Sequence, residues 1–336
     1  MHNTAAGLTL LILAGIANAA FALPMKFTRK WAWENTWLVW SLYALLLLPF
    51  LAALLTIPSL GGVYQQAGVT VVVHVALLGA AWGVAQVLFG LALDIIGIAL
   101  TFSIVLGLSA AMGSLIPLIR LHRDSIFTPA GLTALAGITL VVAGVAVSAV
   151  AGHMRDKTKP VPSSTQRSFL QGLLMAIISG LCASMMNVGV AFGSPLANAA
   201  ATFGAKSYWT VNAIWLPLLA GGAIPNLLYC LYLMRKQRTA ARFSERATSI
   251  YWLLALLMAC LWFGSSLLYG IASGMLGNLG AVVGWPLFMS LIVIIASVLG
   301  VVTGEWKNAG RKALSTQVAA VVILVIAVIV LSRASL

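Results

Sequence analysis

Trp82 stands four residues before Gln86, and Trp262 stands four residues before Ser266, with Tyr269 three residues further on. On a helix those spacings set each group on one face. An indole covers the apolar C–H side of a small polyol or sugar, and a nearby amide and hydroxyls bond its OH groups. The same indoles could equally serve as packing between helices, so the pattern alone leaves both open. Asn18, Asn187, Asn212 and Asn226 place amides inside apolar stretches, where each needs protein, water or substrate as its partner. Asp94 and His74 are the ionisable groups that could be drawn deepest into such stretches. Either could carry a proton; their plainer readings are a solvated helix end and a helix-packing residue.

The chemistry of bond making is missing. No His-Glu-x-x-His, Gly-x-Ser-x-Gly or close carboxylate pair occurs, and "HRD" at 122–124 lacks the rest of a kinase signature. No Gly-Lys-Ser/Thr follows any glycine-rich stretch, so there is no phosphate-cradling loop. Cys182, Cys230 and Cys260 have neither metal nor disulfide spacing and read as small packing residues. The expectation is a protein that is not an enzyme and has no metal or cofactor.

The elements that must position these residues are membrane helices. The 336-residue chain is 62% hydrophobic and only 7% charged, well beyond the apolar share of a soluble domain. Continuous apolar runs able to cross a bilayer fall at 5–25, 34–56, 70–93, 98–119, 129–151, 168–190, 208–234, 249–273, 280–303 and 314–333. They do not alternate, so they read as helices and not as barrel strands. "LTLLILAGIANAAFA" resembles a cleaved leader, but no Lys or Arg precedes it and its apolar run continues to Leu23. Fifteen of the nineteen Lys and Arg lie in the connectors after runs 1, 3, 5, 7 and 9. That bias puts those connectors in the cytoplasm and both termini outside.

The polar stretch 152–167 divides the runs into five and five, 1–151 and 168–336. An odd number per half means that a duplicated unit inserts in opposite orientations. "GLTLLILAGIANAAFALP" (7–24) aligns with "GLLMAIISGLCASMMNVG" (172–189), pairing Gly7 with Gly172 and Gly15 with Gly180. "AAWGVAQVLFGLALDIIG" (80–97) aligns with "CLWFGSSLLYGIASGMLG" (260–277), pairing Trp82 with Trp262, Gln86 with Ser266 and Gly90 with Gly270. The expected fold is therefore an all-α polytopic membrane protein of ten transmembrane helices in two inverted five-helix repeats. The halves meet near the midplane, so Trp82, Gln86, Trp262, Ser266 and Tyr269 are the first candidates for substrate contact. Asn18 and Asn187, on repeat-partner runs 1 and 6, join them.

Gly79, Gly83, Gly90 and Gly270 suit close helix contact, and "GMLGNLG" (274–280) suits a tight turn. "KWAWENTW" (30–37) follows three basic residues, which the orientation rule explains. Trp31, Trp33 and Trp37 suit the membrane interface, and Glu34 suits the first turn of a helix.

"KWAWENTW", "GAAWG" (79–83), "GGAIPN" (221–226) and "GEWKNAGRK" (304–312) together resemble the bacterial L-rhamnose–proton symporter family of the drug/metabolite transporter superfamily. The resemblance runs from about residue 7 to 330, with the motifs in order. It implies an inner-membrane carrier taking up L-rhamnose with a proton. Run 3 keeps one amide, Gln86, and the start of run 9 (277–285) has no acid, so the proton group is left to Asp94 or His74. The rival readings are a same-fold facilitator or exporter of another metabolite, and a non-transporting sensor or subunit.

Overall fold

The computed structural model describes residues 3–156, 166–246, 248–302, 304, 306–307 and 309–334. Among these, ten helical stretches are long and apolar enough to cross a membrane. They are Thr4–Phe27, Trp33–Thr56, Val69–Ile96, Leu100–Leu121, Pro129–Arg155, Phe169–Thr202, Asn212–Gln237, Ser249–Met275, Gly280–Val302 and Arg311–Ala334, spans 1 to 10. All the regular structure among the described residues is helical.

The spans fall on the apolar runs, with span 6 the main departure. It continues past 190 to Thr202 in three pieces, Gln166–Ala183, Met185–Phe192 and Ser194–Thr202. The first break is at Ser184, whose hydroxyl donates back to the Leu181 carbonyl at 2.6 Å. The second is at Gly193, just before Ser194 and Pro195. A hydroxyl competing for a main-chain carbonyl bends a helix, and proline begins a helix better than it continues one. Span 2 carries the other irregularity: Leu42–Leu47 is a π-helical turn ahead of Pro49. Proline has no N–H for the helical ladder, and a widened turn before it accommodates that gap.

The chain forms two compact units, and each takes pieces from both halves of the sequence. The first comprises Met1–Ile16, Ala85–Val188 and Ala272–Leu336; the second comprises Ala17–Val84 and Gly189–Ile271. The polar stretch 152–167 is thus not the boundary between compact units, and most of it lies outside the described residues.

In the first unit, spans 5 and 10 pack antiparallel. Gly137 and Gly144 leave hollows that Leu331 and Leu324 fill, and a Cβ at either glycine would come within 2.7 Å of its leucine. Glycines seven apart facing leucines seven apart give knobs-into-holes packing. Buried Gln317 crosses the same helices, its Nε2 donating to Ser148 Oγ at 3.1 Å and Ser297 Oγ at 2.6 Å. Two aligned glycine pairs make exchanged contacts in this unit. Gly7 lies against Leu276 of the turn after span 8, whereas Gly172 lies against Ile96 at the end of span 3. Gly15 lies against Leu291 of span 9, whereas Gly180 lies against Leu108 of span 4.

In the second unit, spans 2 and 7 are antiparallel. The Trp37 indole donates to Asn226 Oδ1 at 3.0 Å toward one end, and Asn212 Nδ2 donates to Thr56 Oγ1 at 2.9 Å toward the other. Of the glycines expected at close contacts, Gly79, Gly83 and Gly270 have near neighbours, but Gly90 has open space where its Cβ would stand. "GMLGNLG" forms a tight turn between Met275 and Gly280, with Gly277 at φ +87°.

Candidate functional site

Span 3 crosses span 7 backbone to backbone within the second unit. A Cβ on Gly79 would strike the Leu218 carbonyl oxygen, one on Gly83 the Gly222 oxygen, and one on Gly221 the Ala76 oxygen. Small residues four apart make a flat strip that lets two helices approach this closely. The crossing brings Trp82 onto span 7, where a Cβ on Gly222 would lie 2.7 Å from the indole Cε3.

Aromatic rings continue from there. Trp82 lies on Trp262 with centroids 5.5 Å apart and planes 30° apart. Trp262 meets Trp40 edge-on at 5.3 Å, Trp40 meets Trp37 at 4.4 Å, and Trp37 stacks on Trp33 at 5.2 Å. Trp33, Trp37 and Trp40 are four and three residues apart, hence on one face of span 2. The same spacing adds Trp40 to the face that carries Trp33 and Trp37. The expectation that Trp31, Trp33 and Trp37 are interfacial anchors holds in exposure only for Trp33, which is 43% exposed. Trp31 is buried edge-on against Phe243, Tyr251 and Trp252, and Trp37 is half-buried within the ring series.

Polar groups run beside the rings. Asn18 Nδ2 donates to Ser265 Oγ at 2.9 Å, and Ser265 in turn donates to the Trp262 carbonyl at 2.7 Å. Asn226 accepts from Trp37 and donates through Nδ2 to the Gly222 carbonyl at 2.9 Å. The Trp40 Nε1 is buried with no acceptor. Ser266 is buried and gives its hydroxyl to the Trp262 carbonyl at 3.1 Å, while Tyr269 is fully buried. Trp82 and Trp262 touch each other in this conformation. A sugar placed between them would need contact on both faces, roughly 7–8 Å between the planes.

Trp82, Trp262, Ser266, Tyr269 and Asn18 all belong to the second unit, and Asn18 and Ser265 join the tryptophan pair through hydrogen bonds. Gln86 is one helical turn beyond Trp82, half-buried, on the part of span 3 that belongs to the first unit. Asn187 also belongs to the first unit. Its Nδ2 donates to the Gly113 carbonyl at 2.7 Å and the Ala281 carbonyl at 2.8 Å, tying span 6 to spans 4 and 9. Asn187→Ala is expected to lower stability by about 1–2 kcal/mol, read as a lower melting temperature in detergent. His74 and Asp94 are both exposed on span 3. Among the described residues no group of three or more His, Cys, Asp or Glu is placed to hold a metal ion.

Three of the four sequence motifs converge in this unit: Trp82 of "GAAWG" lies on Gly222 of "GGAIPN", whose Asn226 bonds Trp37 of "KWAWENTW". In the fourth, Trp306 packs against Ala151 and Ala313 of the first unit, with the Arg155 guanidinium 5.1 Å over its ring. The family model of the L-rhamnose-proton symport protein matches residues 1–335. A protein of Citrobacter koseri named L-rhamnose-proton symporter is 27% identical over 323 residues, 94% of each chain. Proteins of the same name from Salmonella paratyphi A and Escherichia coli O17:K52:H18 are each 28% identical over the same share.

Proposed function

The chain belongs to the L-rhamnose-proton symport protein family, a family of transporters and not of enzymes, and from that premise we propose that it takes up L-rhamnose together with a proton by alternating access. The observation that carries the mechanism is the exchange of contacts between aligned glycines. Gly7 packs on Leu276 and Gly172 on Ile96, and Leu276 and Ile96 are themselves aligned. Gly15 and Gly180 exchange spans 9 and 4 in the same way. Two halves whose equivalent residues make equivalent contacts with swapped partners are what an inverted repeat produces. The antiparallel pairs 2 with 7 and 5 with 10 support the same reading.

A sugar's C–H face suits the tryptophan pair, and its hydroxyls suit Asn18 and the serines of span 8. Because Trp82 and Trp262 are in contact, the sugar enters when the pair parts or binds along its edge. The charge bias supports an inner-membrane carrier, surrounded by lipid, with odd connectors in the cytoplasm and both termini outside.

Purified protein in liposomes is expected to show saturable uptake of radiolabelled L-rhamnose driven by an inward proton gradient. Absence of saturable uptake for every 6-deoxyhexose tried would remove the sugar reading. Uptake indifferent to the gradient would leave the sugar and remove the coupling.

A further inference from the structure

Glu34 sits in the first turn of span 2, a place where an acid commonly serves as an exposed partner of the helix dipole. Here it is 2% exposed, and it is the only carboxylate found buried among the described residues. Asp94, Asp124 and Glu245 are exposed, and the side chains of Asp156 and Glu305 lie outside those described. Removing a carboxylate from water costs several kcal/mol, and a membrane protein retains such a group where function uses it.

Its surroundings are specific. The Thr239 hydroxyl donates to Glu34 Oε1 at 2.5 Å. The next residue, Asn35, donates through Nδ2 to the Thr239 carbonyl at 3.1 Å, and its Oδ1 accepts from the Ala32 N–H at 3.2 Å. Two ties flank them: Lys30 Nζ donates to the Arg246 carbonyl at 2.8 Å, and Arg242 reaches the Lys30 carbonyl at 3.5 Å. Trp31, wedged among Phe243, Tyr251 and Trp252, closes the side. The connector after span 1 is thereby fastened to the connector after span 7, with the carboxylate sealed beneath the junction. From span 7 the Cys230 thiol lies within electrostatic reach of Glu34. The basic groups of these elements, Lys26, Arg29, Arg235, Lys236, Arg238 and Arg246, are exposed, as are Lys30 and Arg242.

We infer that Glu34 is the proton-carrying group of the transport cycle, opened to the cytoplasmic side when the Thr239, Asn35 and Lys30 ties part. The inference rests on the proton-coupled reading above. It departs from the sequence expectation, which offered the exposed Asp94 and His74. The carboxylate takes up one proton, becomes neutral, and can then donate to Thr239 instead of accepting from it. That change weakens the junction that fastens the two connectors, and release of the proton restores it.

Two assays on the same proteoliposomes test this: gradient-driven accumulation of L-rhamnose, and sugar-for-sugar counterflow at equal pH on both sides. Glu34→Gln is expected to lose accumulation to the level of empty liposomes while retaining counterflow that no longer depends on pH. Thr239→Val removes a donor that favours the charged form, so its accumulation should persist to higher pH than wild type. Accumulation by Glu34→Gln, or loss of its counterflow along with accumulation, overturns the assignment. So does a Thr239→Val profile unmoved or shifted to lower pH. A wild-type protein without any uptake overturns the transport reading itself, and this assignment falls with it.

Discussion

Gly79→Leu is expected to yield no folded protein, whereas Gly90→Leu on the same helix should fold and insert as wild type does. The two glycines are eleven residues apart in span 3, and a propensity argument treats them alike. Their surroundings do not. A Cβ at Gly79 would overlap the Leu218 carbonyl oxygen, a main-chain atom that no rotamer change can withdraw. Nothing lies within 4 Å of a Cβ at Gly90. Adding methylenes to a packed contact costs about 1–3 kcal/mol when side chains can yield. Here the helices themselves must separate, which also parts Gly83 from Gly222 and lifts Trp82 off span 7. Size-exclusion profiles of detergent extracts separate the outcomes. Aggregated or absent protein is expected for Gly79→Leu, and a monodisperse peak for Gly90→Leu. A monodisperse Gly79→Leu at wild-type level would mean that the crossing of spans 3 and 7 is not the contact described.

The spans were legible because a bilayer demands long apolar helices, and composition records that demand directly. Span 6 was read short because Gly193, Asn198 and Thr202 look in a sequence like the start of a connector. The contact of Trp82 with Trp262 was legible because the alignment of 80–97 with 260–277 pairs those two positions. Trp40 carried only its helical spacing from Trp33 and Trp37 as a signal. The burial of Glu34 was hidden for a different reason. The sequence shows its place in the first helical turn, but burial there depends on Thr239 and Asn35 closing over it. Thr239 is more than two hundred residues away from Glu34 in the chain, and no local spacing reports such closure. Asn187 illustrates the converse: an amide in an apolar run signals a partner, and here the partners are two main-chain carbonyls.

The tryptophan series gives the second large effect, and its gradation is what tests it. Trp82→Ala and Trp262→Ala are expected to abolish sugar uptake while protein still reaches the membrane. Trp33→Ala, at the exposed end of the same series, should leave uptake near wild type. Removing a buried indole costs about 3–5 kcal/mol through the cavity it leaves, so stability has to be measured alongside transport. Trp82→Phe supplies the control: it keeps an aromatic face and most of the packing, and should transport with a raised KM and little change in maximal rate. A ring that contacts sugar changes apparent affinity in this way, whereas a ring that only holds helices together changes the amount of active protein and leaves KM alone. If Trp82→Phe lowers maximal rate at constant KM, or if Trp33→Ala loses as much uptake as Trp82→Ala, the series is a scaffold and the sugar is bound elsewhere. Trp82 and Trp262 cover each other's faces near Asn18 and Ser265, so the first outcome also requires the pair to part before a sugar can meet the rings.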